Sequence, residues 1–171
     1  MNKNMPPVKL RAIEPEDLDL LYRIENDVKL WNVGNSNVPY SRYTLHDYVA
    51  KASDDIYTDR QVRMMVENEE GEIVGIADVV NFDPSNCRAE VGLIILDAQR
   101  KKGYGSSTLS QIADYALKVL HLHQLYAYVD CNNEASVHLF RSSGYLESAN
   151  IKDWLYDGRE FHDAVLMQLV F

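Results

Sequence analysis

Glu90-Val91-Gly92-Leu93-Ile94-Ile95-Leu96-Asp97-Ala98-Gln99-Arg100-Lys101-Lys102-Gly103-Tyr104-Gly105-Ser106 is the stretch on which the reading of this chain turns. A short apolar run, extended in pattern, ends in a basic turn with two glycines. An amphipathic segment follows from Ser106 to Leu120, where Leu109, Ile112, Ala113, Ala116, Leu117 and Leu120 recur at helical spacing. A strand that feeds a glycine turn at a helix N-terminus directs orphan N–H groups and the positive end of the helix dipole at one point, which suits an anion such as a diphosphate. Gly103 and Gly105 allow close approach and unusual dihedrals. Arg100, Lys101 and Lys102 add attraction. Taken alone, the same residues also read as a tight turn with solvated lysines.

Outward from this stretch, Val8–Ile13 reads as a first strand. Glu14-Pro15-Glu16-Asp17 opens a helix with Leu18, Leu21, Tyr22 and Glu25 on one stripe. Residues 32–40, rich in Asn, Gly, Ser and Pro, read as a loop, 44–52 as a second helix and 54–60 as a polar connection. Val62–Glu67, Ile73–Phe82 and Arg88–Leu96 are strand-like and separated by turns, an antiparallel meander. After the amphipathic helix come a strand over 125–129 and a helix capped by Asn132 or Asn133 that stops at Gly144. Extended segments at 145–150 and 154–156, an Asp157-Gly158 hairpin turn and a last strand over 161–171 complete the chain. The order β-α-α-β-β-β-α-β-α-β-β is that of an α/β chain of the α+β type, with a mixed sheet in a single domain over 1–171.

Composition bounds the function. The 171 residues carry 26 acidic and 17 basic side chains, a net charge of -9, which argues against nucleic-acid binding and is compatible with a cationic substrate such as an amine. Cys87 and Cys131 form neither a disulfide framework nor a metal spacing, and the five histidines (46, 121, 123, 138 and 162) form no metal motif, so no metal is expected. No apolar run reaches about 18 residues and residues 1–7 carry no signal core, so no membrane association and a cytoplasmic location are expected. Neither a Gly-Lys-Ser/Thr P-loop nor a three-glycine dinucleotide fingerprint is present.

Two motifs in order carry a resemblance. Arg100-x-x-Gly103-x-Gly105, placed after Glu90–Ile95 and before an amphipathic helix, resembles the acetyl-CoA signature of the GNAT N-acetyltransferase superfamily. Asp130–Tyr145, with Asn133-Glu134-Ala135-Ser136 and Gly144-Tyr145, resembles that family's second motif, and the likeness extends from Leu10-Arg11 to Phe171. It implies a twisted, mostly antiparallel sheet of about seven strands, splayed at the centre and flanked by about four helices. It further implies acetyl-CoA as the donor co-substrate. Backbone groups of Leu93, Ile94 and Ile95 would pair with the pantetheine arm like an added strand. N–H groups from Arg100, Lys101, Lys102, Gly103, Tyr104, Gly105 and Ser106 would hold the pyrophosphate. Asn133 would contact the cofactor from the other side, a role compatible with a plain N-cap. A homodimer is also implied.

The reaction of that family is attack by an amine on the thioester, which calls for a base, a polarised carbonyl and a proton or hydrogen bond for the leaving thiolate, although a thiolate can also leave without a dedicated donor. Glu90 is the candidate base, with an ion pair to Arg88 or to another strand charge as its alternative role. For the acid, many relatives have a tyrosine four residues before the second motif's glycine, whereas this chain has Phe140. Tyr145 is the candidate in its place, with Tyr126 and Tyr128 as further possibilities. The segment 153–164 is similar to the spermidine acetyltransferase and ribosomal-protein N-terminal acetyltransferase subgroups. The paired glutamates of the spermidine subgroup are absent before Pro39-Tyr40, where Asn37-Val38 stands, and Glu25 and Asp27 are candidate substitutes. The expected acceptor is a primary amine, either a small molecule or a peptide N-terminus. The alternatives are a spermidine or polyamine acetyltransferase specifically, or a catalytically weak acyl-CoA-binding module.

Overall fold

The computed structural model describes residues 5–27, 38–52 and 55–171. Seven strands form one sheet in the order β1-β2-β3-β4-β5-β7-β6: β1 (Lys9–Arg11), β2 (Val62–Glu67), β3 (Ile73–Asp83), β4 (Arg88–Ile95), β5 (Gln124–Asp130), β6 (Leu146–Tyr156) and β7 (Phe161–Val170). All neighbours pair antiparallel except β4 and β5, which are parallel. Among the described residues five helices flank the sheet: α1 (Leu18–Glu25), α2 (Arg42–Lys51), α3 (Ile56–Asp59), α4 (Tyr104–Lys118) and α5 (Glu134–Ser142). The expected count of four missed α3, a single turn inside the supposed connection, which Asp55 caps by accepting from the Tyr57 N–H at 3.0 Å. The loop read over 32–40 lies outside the described residues for 32–37.

The sheet has apolar packing on both faces, as its near-continuous central runs require. Ala89, Val91 and Leu93 of β4 join Leu109, Ile112 and Ala116 of α4, Phe140 of α5 and Leu125, Ala127 and Val129 of β5. On the opposite face Ile94 and Ile76 pack with Leu21 and Ile24 of α1 and Leu45 of α2. Thus odd residues of β4 face α4 and α5, and even residues, Glu90 and Gly92 among them, face α1 and α2. Arg11 ties the edge together. It grips both oxygens of Asp17 at 2.7 and 2.9 Å and Glu67 at 2.8 Å, and its guanidinium holds the Asp17 carboxyl below the usual carboxylate range. Asn26, at the end of α1, donates to the Tyr40 carbonyl at 3.0 Å and accepts from the Tyr40 N–H at 2.8 Å, so it staples together the two ends flanking residues 28–37.

Two extended segments read as separate join into β6. A register shift between Ile151 and Leu155 sets Lys152, Asp153 and Trp154 opposite Asp163 alone. Asp163 fixes this bulge by accepting from the Asp153 N–H at 3.1 Å and pairing with Lys152 at 2.6 Å.

Candidate active site

The parallel pairing of β4 and β5 runs only through Arg88↔Gln124, Ala89↔Leu125 and Glu90↔Tyr126. Beyond Glu90 the strands diverge, β4 staying with β3 and β5 with β7. Val91–Ile95 therefore presents an open ladder edge in the middle of the sheet, and Leu93, Ile94 and Ile95 are only half-buried although apolar. This is the expected splay, with an edge onto which a ligand's amides can add as a strand.

At the end of that edge the chain turns into α4. Gly103 is the N-cap with φ 91°, a conformation in which a Cβ is strained, and Lys101 also has positive φ at 61°. Side chains cap α2 (Ser41), α3 (Asp55) and α5 (Asn133), whereas no side chain caps α1 or α4. The first N–H groups of α4, over Gly103–Ser106, are thus left for an anion. The helix starts at Tyr104, two residues before the expected Ser106. Gly105 serves packing rather than the turn: a Cβ there would stand 3.0 Å from Cδ2 of Leu139 in α5. Arg100 donates to the Ile95 carbonyl at 3.1 Å and pairs with Asp97 at 3.0 Å, bracing the turn, and Lys102 donates to Gln99 at 2.8 Å. Asn133, the N-cap of α5, accepts from the Ser136 N–H at 3.1 Å.

Glu90 stands at the last paired position before the strands part. Its carboxylate accepts from the Asn81 amide at 2.7 Å. Arg88 pairs with Asp83 at 3.3 Å instead, so the alternative Arg88–Glu90 ion pair does not form. A neutral amide orients Glu90 without neutralising it. Tyr126 is its cross-strand neighbour, and its phenol is pushed up by burial first and by the Glu90 charge second. On this same face Tyr126 touches Tyr128 (centroids 5.7 Å), and the β6 bulge throws Trp154 across β7 onto Tyr128 (5.3 Å). Asp78 lies against Gly92, and Arg63 clamps it at 2.7 and 3.1 Å while also pairing with Glu25. Glu25, proposed as an ammonium ligand from its position in the sequence, is engaged in this network. Asn81, Asp78, Arg63 and Trp154 escaped the sequence reading because each acts through a partner 9 to 26 positions distant.

Tyr145 is 1 % exposed, and its hydroxyl is buried with no hydrogen-bond partner among the described residues. Its ring meets that of Phe140 edge-on at 5.0 Å, and burial pushes its phenol well above the ordinary range. The expectation of no metal motif rested on histidine spacing. The structure joins His162 to Asp157 and Glu160 at the β6–β7 turn, with the three ligand atoms within 4.8 Å of one another. The amides of Glu160 and Arg159, then the His162 ring, hold the Asp157 carboxyl down at about 2.

Among the described residues no helix is long and apolar enough to cross a membrane. The open edge, the left-handed glycine and the uncapped helix fit a diphosphate ligand with an amide-bearing arm. Comparison with known proteins agrees. The acetyltransferase (GNAT) domain model matches residues 8–146. The chain is 28% identical to a spermidine N(1)-acetyltransferase of Escherichia coli (strain K12), over 94% of this chain and 84% of the relative. It is 26% identical to the putative ribosomal N-acetyltransferase YdaF of Bacillus subtilis, over 95% and 91%. The crystal structure of spermidine N-acetyltransferase from Vibrio cholerae in complex with CoA and spermine superposes with a TM-score of 0.86, at 23% identity and 95% coverage of both chains. A dodecameric structure of that protein superposes at 0.81, at 24% identity and over 95% of this chain and 93% of that one. The chain therefore belongs to the GNAT acetyltransferase family and is an acetyl-CoA-dependent N-acetyltransferase.

Proposed function

We propose that the acceptor is a small cationic amine of the polyamine kind, that Glu90 is the general base and that Tyr145 donates the proton to the leaving thiolate. The observation that carries the reading is the placement of Glu90, a carboxylate oriented by a neutral amide at the point where β4 and β5 part. A primary amine with pKa near 10 is neutral in only about one molecule in ~1,000 at pH 7, so a base at the attack position is needed. The acceptor face bears Glu25, Asp78 and Glu90 against Arg63, an excess of negative charge, and the aromatic wall of Tyr126, Tyr128 and Trp154 favours an alkylammonium through its ring faces. The names of the E. coli and V. cholerae relatives support the polyamine reading.

On the donor side, Val91–Ile95 would orient the arm, the α4 N-terminus would hold the diphosphate, and Asn133 would flank it. Acetyl-CoA supplies the activated acetyl group. An N–H of the open β4 edge supplies the hydrogen bond that polarises the thioester carbonyl. The Tyr145 phenol, kept protonated by burial, is a donor rather than a phenolate.

Glu90→Gln tests this. With spermidine as acceptor and CoA release as the readout, kcat/KM falls by about 10²–10⁴-fold while acetyl-CoA still raises Tm. Full activity in Glu90→Gln removes the base role. Turnover of peptide N-termini with none of spermidine or spermine would replace the polyamine reading with the peptide one. A second reading, a catalytically weak CoA-binding module, draws on the buried Phe140 at the position of the usual phenol. CoA-induced stabilisation with no amine turnover would select it.

A further inference from the structure

We propose that Asp157, Glu160 and His162, at the tip of the β6–β7 hairpin, form a binding site for a divalent transition-metal cation of the Zn²⁺ type. The His162 Nε2 lies 3.1 Å from Asp157 Oδ2 and 4.0 Å from Glu160 Oε1. This nitrogen is sealed from solvent and turned toward two carboxylates, of which Asp157 is the nearer. The other ring nitrogen, Nδ1, sits 2.8 Å from the Asn132 side-chain nitrogen, which donates to it. An imidazole anchored through one nitrogen, with the other turned toward carboxylate oxygens, has the orientation that metal-ligating histidines take from their outer-shell partners. Turning the Asn132 amide over would present its oxygen to an Nδ1–H and leave the Nε2 lone pair for a metal.

The two carboxylates play different parts. Asp157 is preset: its Oδ1 accepts from the N–H groups of Arg159 at 2.7 Å and Glu160 at 2.9 Å, so its Oδ2 is held beside His162. Glu160 is an exposed side chain that swings to close the site. Bonds of about 2.0–2.2 Å in a tetrahedral Zn²⁺ site set ligand atoms roughly 3.3–3.6 Å apart. The observed 3.1 and 4.0 Å bracket that value. One imidazole nitrogen with two carboxylate oxygens suits Zn²⁺ or a neighbouring d-block ion, whereas Mg²⁺ and Ca²⁺ favour all-oxygen sets. A cation here would fasten the hairpin, through His162 and Asn132, to the β5–α5 turn whose next residue, Asn133, would flank the donor slot.

The test uses the full chain freed of metal by chelator and dialysis, with ZnCl₂ titrated calorimetrically and Tm followed in parallel. The expected result is saturable binding of a single equivalent, weakened about tenfold or more in both Glu160→Gln and Asp157→Asn, with MgCl₂ giving no comparable shift in Tm. Asp157→Asn retains a turn-forming side chain and Glu160 is exposed, so both variants should fold. No saturable equivalent, or affinity in both variants equal to that of the unsubstituted chain, overturns the site. Neither donor nor acceptor is present, so failure here leaves the acetyl-transfer reading untouched.

Discussion

Tyr145 carries a hydroxyl that stability alone does not explain. A buried polar group without a partner costs about 1–3 kcal/mol, yet the phenol sits in the core against Phe140. Tyr145→Phe removes only that oxygen, and unfolding free energy should stay level or rise by up to ~1 kcal/mol, as read by denaturant titration. The folded phenol titrates above its unfolded value near 10. It therefore contributes stability that is complete below about pH 10 and lost as pH climbs toward the folded value, and Tyr145→Phe should flatten this alkaline decline. A loss of turnover in the same variant would mark the hydroxyl as the proton donor, and retained turnover would return the role to packing. The sequence singled out both Glu90 and Tyr145 because each sits at a fixed offset in a local motif. It could not show that Asn81 holds Glu90, since that contact exists only once β3 and β4 pair.

At the scale of elements, the glycine turn depends on how closely α4 approaches α5. Gly105→Ala would place a methyl 3.0 Å from Cδ2 and 3.2 Å from Cδ1 of Leu139. Overpacking of this kind costs about 1–3 kcal/mol, and displacing the first turn of α4 weakens CoA binding as well. Adding Leu139→Ala should recover CoA affinity more than stability, and two independent losses would refute the contact as the cause. Strands β2 to β4 and helix α4 were legible because long apolar patterns at one period identify them. The single turn of α3 was hidden in a polar stretch, as Ile56 is its one buried residue. The continuity of β6 was hidden because Lys152-Asp153-Trp154 breaks strand alternation, and the bulge that absorbs the break is fixed by Asp163 on another strand.

At the scale of the molecule, two half-sheets, β1–β4 and β5–β7, are joined through the three residue pairs between Arg88–Glu90 and Gln124–Tyr126. Amide hydrogen exchange should show Val91–Ile95 less protected than Val74–Val79 in the free protein and selectively slowed by CoA. Equal protection in both states would contradict ligand pairing along this edge. The short seam between the two half-sheets thus coincides with the place where the ligand would lie. A bound arm would act as a splint between the leaves, and resistance to proteolysis would follow the supply of that ligand. In a cell short of acetyl-CoA, the chain would be lost to turnover sooner than in one well stocked with it.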